Sequence, residues 1–241
     1  EMDILEANGS VNFGSNKAYR AMLKKIKAGS PATNPDDLQY ILDNVDVDNL
    51  FEYMALEMFV GNSDIGNIRY YRLHQEGSKW KWIWYDADYG LYSSKFNSPW
   101  SYLKVKGMGE QKIDNTIFLK LLEHPDYKRK FLEKLADVYK TFTTEYMTQV
   151  LDGVVAEIQP EMKNHWERWG ELNDKAVTSE VPTTIDGAYT YWESRVNRLY
   201  NTLKVRPHRL WDFIKDEFKL TKTEMEELFG PQPDYPDDAV L

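Results

Sequence analysis

Gly61-Asn62-Ser63-Asp64-Ile65-Gly66-Asn67-Ile68-Arg69-Tyr70-Tyr71-Arg72 and, a few residues on, Lys79-Trp80-Lys81-Trp82-Ile83-Trp84-Tyr85-Asp86-Ala87-Asp88-Tyr89-Gly90 form the stretch on which the reading of this chain turns. Asn67 to His74 and Lys79 to Tyr85 have the aromatic and β-branched content of strands, and Gln75 to Ser78 is a turn between them, so the pair is expected as a β-hairpin. A hairpin brings its outer ends together. Asp64 and Asn67 before the first strand are therefore expected near Asp86 and Asp88 after the second, a convergence of three carboxylates and an amide. Such a group is costly unless a cation or a bound partner offsets the repulsion, and hard oxygen ligands of this kind suit Mg²⁺, Mn²⁺ or Ca²⁺. The plainer reading is that Asp64 and Asn67 are turn residues and Asp86 to Gly90 an acidic loop, because Asn, Asp and Gly favour turns. The pattern by itself leaves both open.

Outward from this hairpin the chain reads as helical. On the N-terminal side, Asp3 to Gly9 is a short strand running into a glycine turn, and Lys17 to Ala28 has helical apolar spacing at Ala18, Met22 and Ile26. Pro35 suits the first turn of a helix carrying Leu38, Ile41 and Leu42, and Asp46 or Asp48 can cap the next one, apolar on most sides, which stops at Gly61-Asn62. On the C-terminal side, helices are expected from Asn115, either side of Pro125, over Thr144 to Trp169, over Asp186 to Leu203 and over Arg209 to Phe218. Gly230 to Leu241, with three prolines and three aspartates, reads as a flexible acidic tail, which leaves residues 1–229 as one domain. The expected fold class is thus α+β, mostly α-helical, with one hairpin carrying the acidic site.

Composition narrows the function classes. A chain of 241 residues with 42% apolar and 14% aromatic content can bury a full core, which excludes a disordered or disulfide-stapled chain. The net charge of −9 argues against binding nucleic acid by phosphate neutralisation. With no cysteine there are no thiolate zinc sites and no cysteine nucleophiles, while the redox compartment stays open. No window approaches the ~18 consecutive apolar residues of a membrane span, and no basic-then-apolar leader opens the sequence. The four histidines are too scattered for a zinc site, and no Gly-x-Ser-x-Gly elbow marks a serine hydrolase. Trp80, Trp82 and Trp84 alternate onto one face; that row is either a sugar-stacking platform or, as a hairpin over a helical body requires, the buried face. Arg69 and Arg72 either contact phosphate or pair with the chain's many acids.

The order Asp, Asn, hairpin, Asp is also that of phosphoryl transfer in kinases. Together with Asp3-Ile4-Leu5-Glu6, Gly14-Ser15-Asn16-Lys17-Ala18-Tyr19, Asp46-Val47-Asp48-Asn49, Asn115-Thr116-Ile117-Phe118, Pro160-Glu161-Met162, His165, Arg168-Trp169 and Arg206-Pro207, the two quoted segments resemble the CotH family, the spore-coat protein kinases and their bacterial surface relatives. The match covers residues 1 to about 220.

The resemblance implies the C-lobe-like part of an atypical protein-kinase-like fold that uses ATP and a divalent metal, Mg or Mn with Ca as a further possibility, to phosphorylate serines of coat or surface proteins. It implies Asp64 as the catalytic aspartate, Asn67 and Asp86 as nucleotide- and metal-binding residues, and Asp88 as a neighbouring acidic metal position. It implies a spore-coat or cell-surface location. The segment between Asp64 and Asn67 is shorter than the family's usual loop. About sixteen residues precede the first helix, where a kinase needs a lysine-bearing lobe, so the chain is expected to be a fragment that is inactive alone. Two other classes compete: a non-catalytic surface binding module built on the same fold, and a glycosidase with a carboxylate pair ~5 to 9 Å apart.

Overall fold

The computed structural model describes residues 1–104, 113–173 and 181–237. Four strands make one antiparallel sheet, β1 (Met2–Glu6), β2 (Ser10–Phe13), β3 (Arg69–Leu73) and β4 (Lys81–Ile83), in the order β2-β1-β3-β4. The expected β3-β4 hairpin is present, but it is half of a sheet. β1 lies against β3 in the register Glu6↔Arg69 and Leu5↔Tyr70, and carries its own hairpin partner β2 on the other side. The sequence reading counted one hairpin because β2 is only four residues long and exposed throughout, so no buried alternation marks it.

The helices before and between these strands form where the local signals place them. α1 spans Lys17–Ala28, and α2, Pro35–Asn44, has proline in its first turn and Asn34 as its cap. In α3, Val47–Val60, the Asp46 carboxylate accepts from the Asn49 amide at one end, and Gly61 at φ +65° ends the helix in the left-handed region. α3 is central. It packs on the later helix α6 (Pro125–Thr141), where Phe51, Phe118 and Phe131 meet edge to face at centroid distances of 4.8 to 6.1 Å. Burial of each such ring contributes about 1.5–3 kcal/mol, and the edge contacts add about 0.5–1.5 kcal/mol per pair.

The remaining elements are α4 (Ser98–Tyr102), α5 (Thr116–Leu122), α7 (Thr144–Ile158), α8 (Met162–Asn173), α9 (Ile185–Phe218) and α10 (Lys222–Phe229). Two expectations change here. The single helix read over Thr144 to Trp169 is split by a 3₁₀ turn at Gln159–Glu161, which contains Pro160. The two helices read on either side of Pro207 are instead one helix of 34 residues. Proline removes the N–H that would reach the carbonyl four residues back, and that carbonyl, Leu203 O, accepts from the Thr144 hydroxyl at 3.1 Å. The helix continues because another helix supplies the missing donor.

The end of the chain also differs from expectation. Residues 230–237 are not a free tail: the Gly230 carbonyl accepts from Trp211 Nε1, Pro233 O lies 2.7 Å from His208 Nδ1, and the Tyr235 hydroxyl accepts from Arg209. Each attachment is to α9, a partner that local composition does not reveal. Residues 238–241 of the expected tail lie outside the described residues.

β4 is fastened to the helical body by backbone groups. The Asn49 side chain takes both polar backbone groups of Trp82, donating to its carbonyl at 3.1 Å and accepting from its amide at 2.6 Å. Trp80 bonds on either side of the α2-α3 junction, to the Asn44 carbonyl and the Asp46 amide. Trp80 and Trp82 are buried against Tyr19 and Tyr70, so the core-face reading holds for them, whereas Trp84, beyond the end of β4, is exposed. No continuous tryptophan platform is presented.

Candidate active site

One end of the sheet collects the C-terminus of β1, the N-terminus of β3 and the segment leaving β4. Glu6 lies opposite Arg69, and Arg69 lies opposite Ile83. The turn that enters β3 is closed by the Asn67 amide, which donates to the Asp64 carbonyl at 3.1 Å; the Asp64 amide donates to Asn62 Oδ1. Asp64 and Asn67 are therefore turn residues, as the plain reading had it. The Asn67 side chain is nonetheless engaged across the hairpin.

Asn67 Nδ2 donates to Asp86 Oδ2 at 2.6 Å, and the Tyr85 hydroxyl donates to Asn67 Oδ1 at 2.5 Å. The amide is thus oriented on both sides, and two of the three residues implied as metal ligands are brought into direct contact across the hairpin. Asp86 sits at φ +52°, a left-handed conformation that costs a non-glycine residue of order 1 kcal/mol and that clusters at functional sites. The segment after it is clamped: Gly90 N donates to Ala87 O, and Leu91 N donates to Val60 O at the end of α3.

Tyr85 reports the charge around this point. Burial raises its pKa, the Arg69 guanidinium 4.8 Å from its ring centroid lowers it, and the negative charges of Asp86, Glu6 and Asp64 raise it again. Arg69 Nε lies 3.9 Å from Glu6, so for this arginine the ion-pairing reading is the one observed, between two half-exposed groups worth well under ~1 kcal/mol.

The expected convergence of three carboxylates is not formed. Among the described residues no group of three His, Cys, Asp or Glu side chains is arranged to hold a metal ion. Asp88 turns away into a separate hollow with Tyr89, Tyr92, Tyr191 and Arg198. The reason is the Ala87–Gly90 turn, which redirects the chain between Asp86 and Leu91, itself at φ +56°. What remains at the sheet end is a pair, the Asp86 carboxylate and the Asn67 carbonyl. That pair fits a magnesium-type ion, which needs only one or two protein oxygens when phosphate and water complete its shell.

Behind the loop lies a group that sequence reasoning missed. Glu57, on the otherwise apolar α3, is buried, and its carboxylate takes hydrogen bonds from Tyr53, Asn62, Trp84 and Tyr102, the last at 2.7 Å. Burial nevertheless raises its pKa. Tyr102 also lies 3.2 Å from the Asn62 carbonyl. Through Asn62 this network touches the turn that carries Asp64, and through Trp84 the segment that carries Asp86. A lone acid in Tyr53-Met54-Ala55-Leu56-Glu57-Met58-Phe59 is the signal that was available.

A family model described as CotH kinase protein matches residues 5–210, most of the chain. The chain belongs to the CotH kinase family. Comparison with curated proteins and with solved structures finds no match. The matched span includes both segments of the hairpin, Glu57 and Arg206-Pro207. A kinase-like protein of CotH type is the functional statement that membership carries.

Proposed function

We propose that this CotH chain carries the catalytic residues of a protein serine kinase that uses ATP and a divalent metal. The observation that carries the reading is the Asn67–Asp86 contact across the β3-β4 hairpin, with Asp86 held in a left-handed backbone conformation. Asp64 accepts the proton of the substrate serine hydroxyl as that oxygen attacks the terminal phosphorus of ATP, and ADP leaves. Asn67 and Asp86 would hold Mg²⁺ or Mn²⁺, with Ca²⁺ the weaker candidate, once the Asn67 carbonyl exchanges its Tyr85 hydrogen bond for the ion. A metal bound there neutralises phosphate charge. Asp88 stands one turn further along and lines the hollow beside α9. In line with the family, the substrates are coat or surface proteins, and the location is the spore coat or the cell surface. Among the described residues no helix is long and apolar enough to cross a membrane.

The test is calorimetric titration of Mg-ATP and Mn-ATP into the full polypeptide, followed by phosphate transfer to serine substrates. Asp86→Ala is expected to abolish nucleotide binding in the presence of metal. Asp64→Asn is expected to keep binding and lose about 10²–10⁴-fold in turnover. Nucleotide binding that is indifferent to Asp86→Ala would sink the assignment. The second reading is a non-catalytic surface module. It is favoured by the exposed row Tyr146, Val150, Val154 and Ile158 along α7, and it predicts no nucleotide binding at all.

A further inference from the structure

Beside the sheet end, the segment after the acidic turn faces α9 across a cavity of about 450 Å³. Lys95 and Tyr92 stand on one wall, Arg198 and Arg209 on the helix, and Tyr235 of the C-terminal segment closes one side. Among the described residues no Asp or Glu lines it, in a chain whose net charge is −9. The rest of its lining includes the hydroxyls of Ser94 and Thr202, so the walls are rich in hydrogen-bond donors. A second hollow of similar size shares Tyr92 and Arg198 with the first and opens onto Asp88. The two adjoin at Tyr92 and Arg198 as a groove along α9, with Asp88 in the wall of its second part.

Neither arginine has a carboxylate partner among the described residues. Arg198 is exposed, its guanidinium stacked 4.3 Å from the Tyr92 ring centroid. Arg209 reaches the Tyr235 hydroxyl at 3.3 Å, but its Nε is buried without a hydrogen-bond partner. Arg209 Nε is closed off from the cavity, so what this arginine offers an anion there is its terminal guanidinium N–H groups. Planar guanidinium groups beside hydroxyl donors suit a phosphate monoester better than a single carboxylate, because more oxygens are available to them. The two arginine positions are three helical turns apart, about 16 Å along α9, a span covered by about five residues of extended peptide.

We propose that this groove binds phosphoserine-bearing segments of the protein substrate, with phosphate groups at Arg198 and at Arg209 while a further serine reaches the Asp64 side past Asp88. The proposal rests on the kinase reading above for the identity of the peptide, but the binding does not require catalysis. A kinase with such a groove retains its own product and acts preferentially on segments that are already phosphorylated.

The experiment is fluorescence anisotropy with the full polypeptide and a labelled synthetic peptide carrying two phosphoserines about five residues apart, in low and physiological salt. The phosphopeptide is expected to bind at least about tenfold tighter than the same peptide with serines, and to weaken as salt rises. Arg198→Gln is expected to remove most of that difference, and Arg209→Gln part of it, with unchanged melting temperatures confirming that both variants fold. Asp86→Ala is expected to leave peptide binding intact, so failure of the metal-site reading and failure of the groove are read separately. The proposal is overturned by equal affinity for the serine and phosphoserine peptides, by equal affinity for a glutamate-substituted peptide, or by indifference to Arg198→Gln. Competition by inorganic phosphate at the concentration of the peptide itself likewise overturns it, since the site is then one for a free ion.

Discussion

At the residue scale the informative group is Glu57, a carboxylate placed in the core with four hydrogen-bond donors around it. Burial outweighs those donors and holds its folded pKa above the ordinary 4.5. The folded protein therefore keeps a proton that the unfolded chain has already released. The resulting stabilisation is fully present below the unfolded value and is lost as pH rises through the folded one. Glu57→Gln cannot ionise. The difference in unfolding free energy between wild type and Glu57→Gln, measured by urea denaturation from pH 4 upward, is expected to shift against the wild type as pH increases and to level off above the raised pKa. A flat difference would mean that the carboxylate is ionised at no cost. The lowered pKa of Asp46, where the Asn49 amide and Lys81 outweigh burial, and that of Asp114, where Lys27 and Thr116 do so, act in the opposite sense at lower pH. Both are common to the two proteins and cancel in the comparison.

At the element scale, what could be read in advance was what the backbone decides locally. Pro35, Asp46 and Gly61 fix helix ends through a preset first turn, a cap and a left-handed stop; sequence marks Pro35 and Gly61 outright and leaves the cap between Asp46 and Asp48. The break expected between Leu203 and Arg209 is absent: Pro207 is a local stop signal, overridden by Thr144, whose hydroxyl takes the orphaned carbonyl of Leu203 from 59 residues away. A contact between distant residues leaves no mark on the local pattern. The Thr221-Glu224 capping box that opens α10 was legible and passed over. If the Thr144–Leu203 bond is what allows α9 to continue, Thr144→Val costs about 1 kcal/mol or more in the native background. In a Pro207→Ala background the new backbone amide at that position restores the helical bond, and the same change should cost clearly less. A double-mutant cycle by chemical denaturation reads the coupling, and additivity of the two changes would remove Thr144 from this role.

At the scale of the whole molecule, the hairpin sequence made Asn67 and Asp86 legible as a pair because strand pairing is set by the turn between them, whereas Asp88 depended on the Ala87–Gly90 turn and Glu57 on packing that no pattern encodes. What joins the sheet end to the C-terminal helices is Arg206, fully buried on α9. Its guanidinium donates to Met58 O, Phe59 O and Phe96 O at 2.6 to 3.2 Å and to the Ser98 hydroxyl at 2.6 Å, so it caps the C-terminus of α3, where the helix dipole favours a cation. Burial pulls its pKa down to about 9, which leaves it charged at neutral pH. Gly61 faces it: a Cβ there would lie 2.8 Å from Nη2 in a left-handed backbone. Arg206→Met keeps the stem volume but leaves Phe59 O without a donor and strips one donor each from Met58 O and Phe96 O, which keep only Ser98, and is expected to lower the unfolding free energy by about 3–5 kcal/mol. Gly61→Ala adds both backbone strain and a clash with the guanidinium, and is expected to cost more than the roughly 1 kcal/mol of the left-handed conformation alone. Because the loop from Asn62 to Asn67 starts at this joint, both variants should also weaken Mg-ATP binding before they unfold, in titrations run well below their melting temperatures. Loss of stability with nucleotide affinity intact would show that Arg206 holds the helices together without positioning the site.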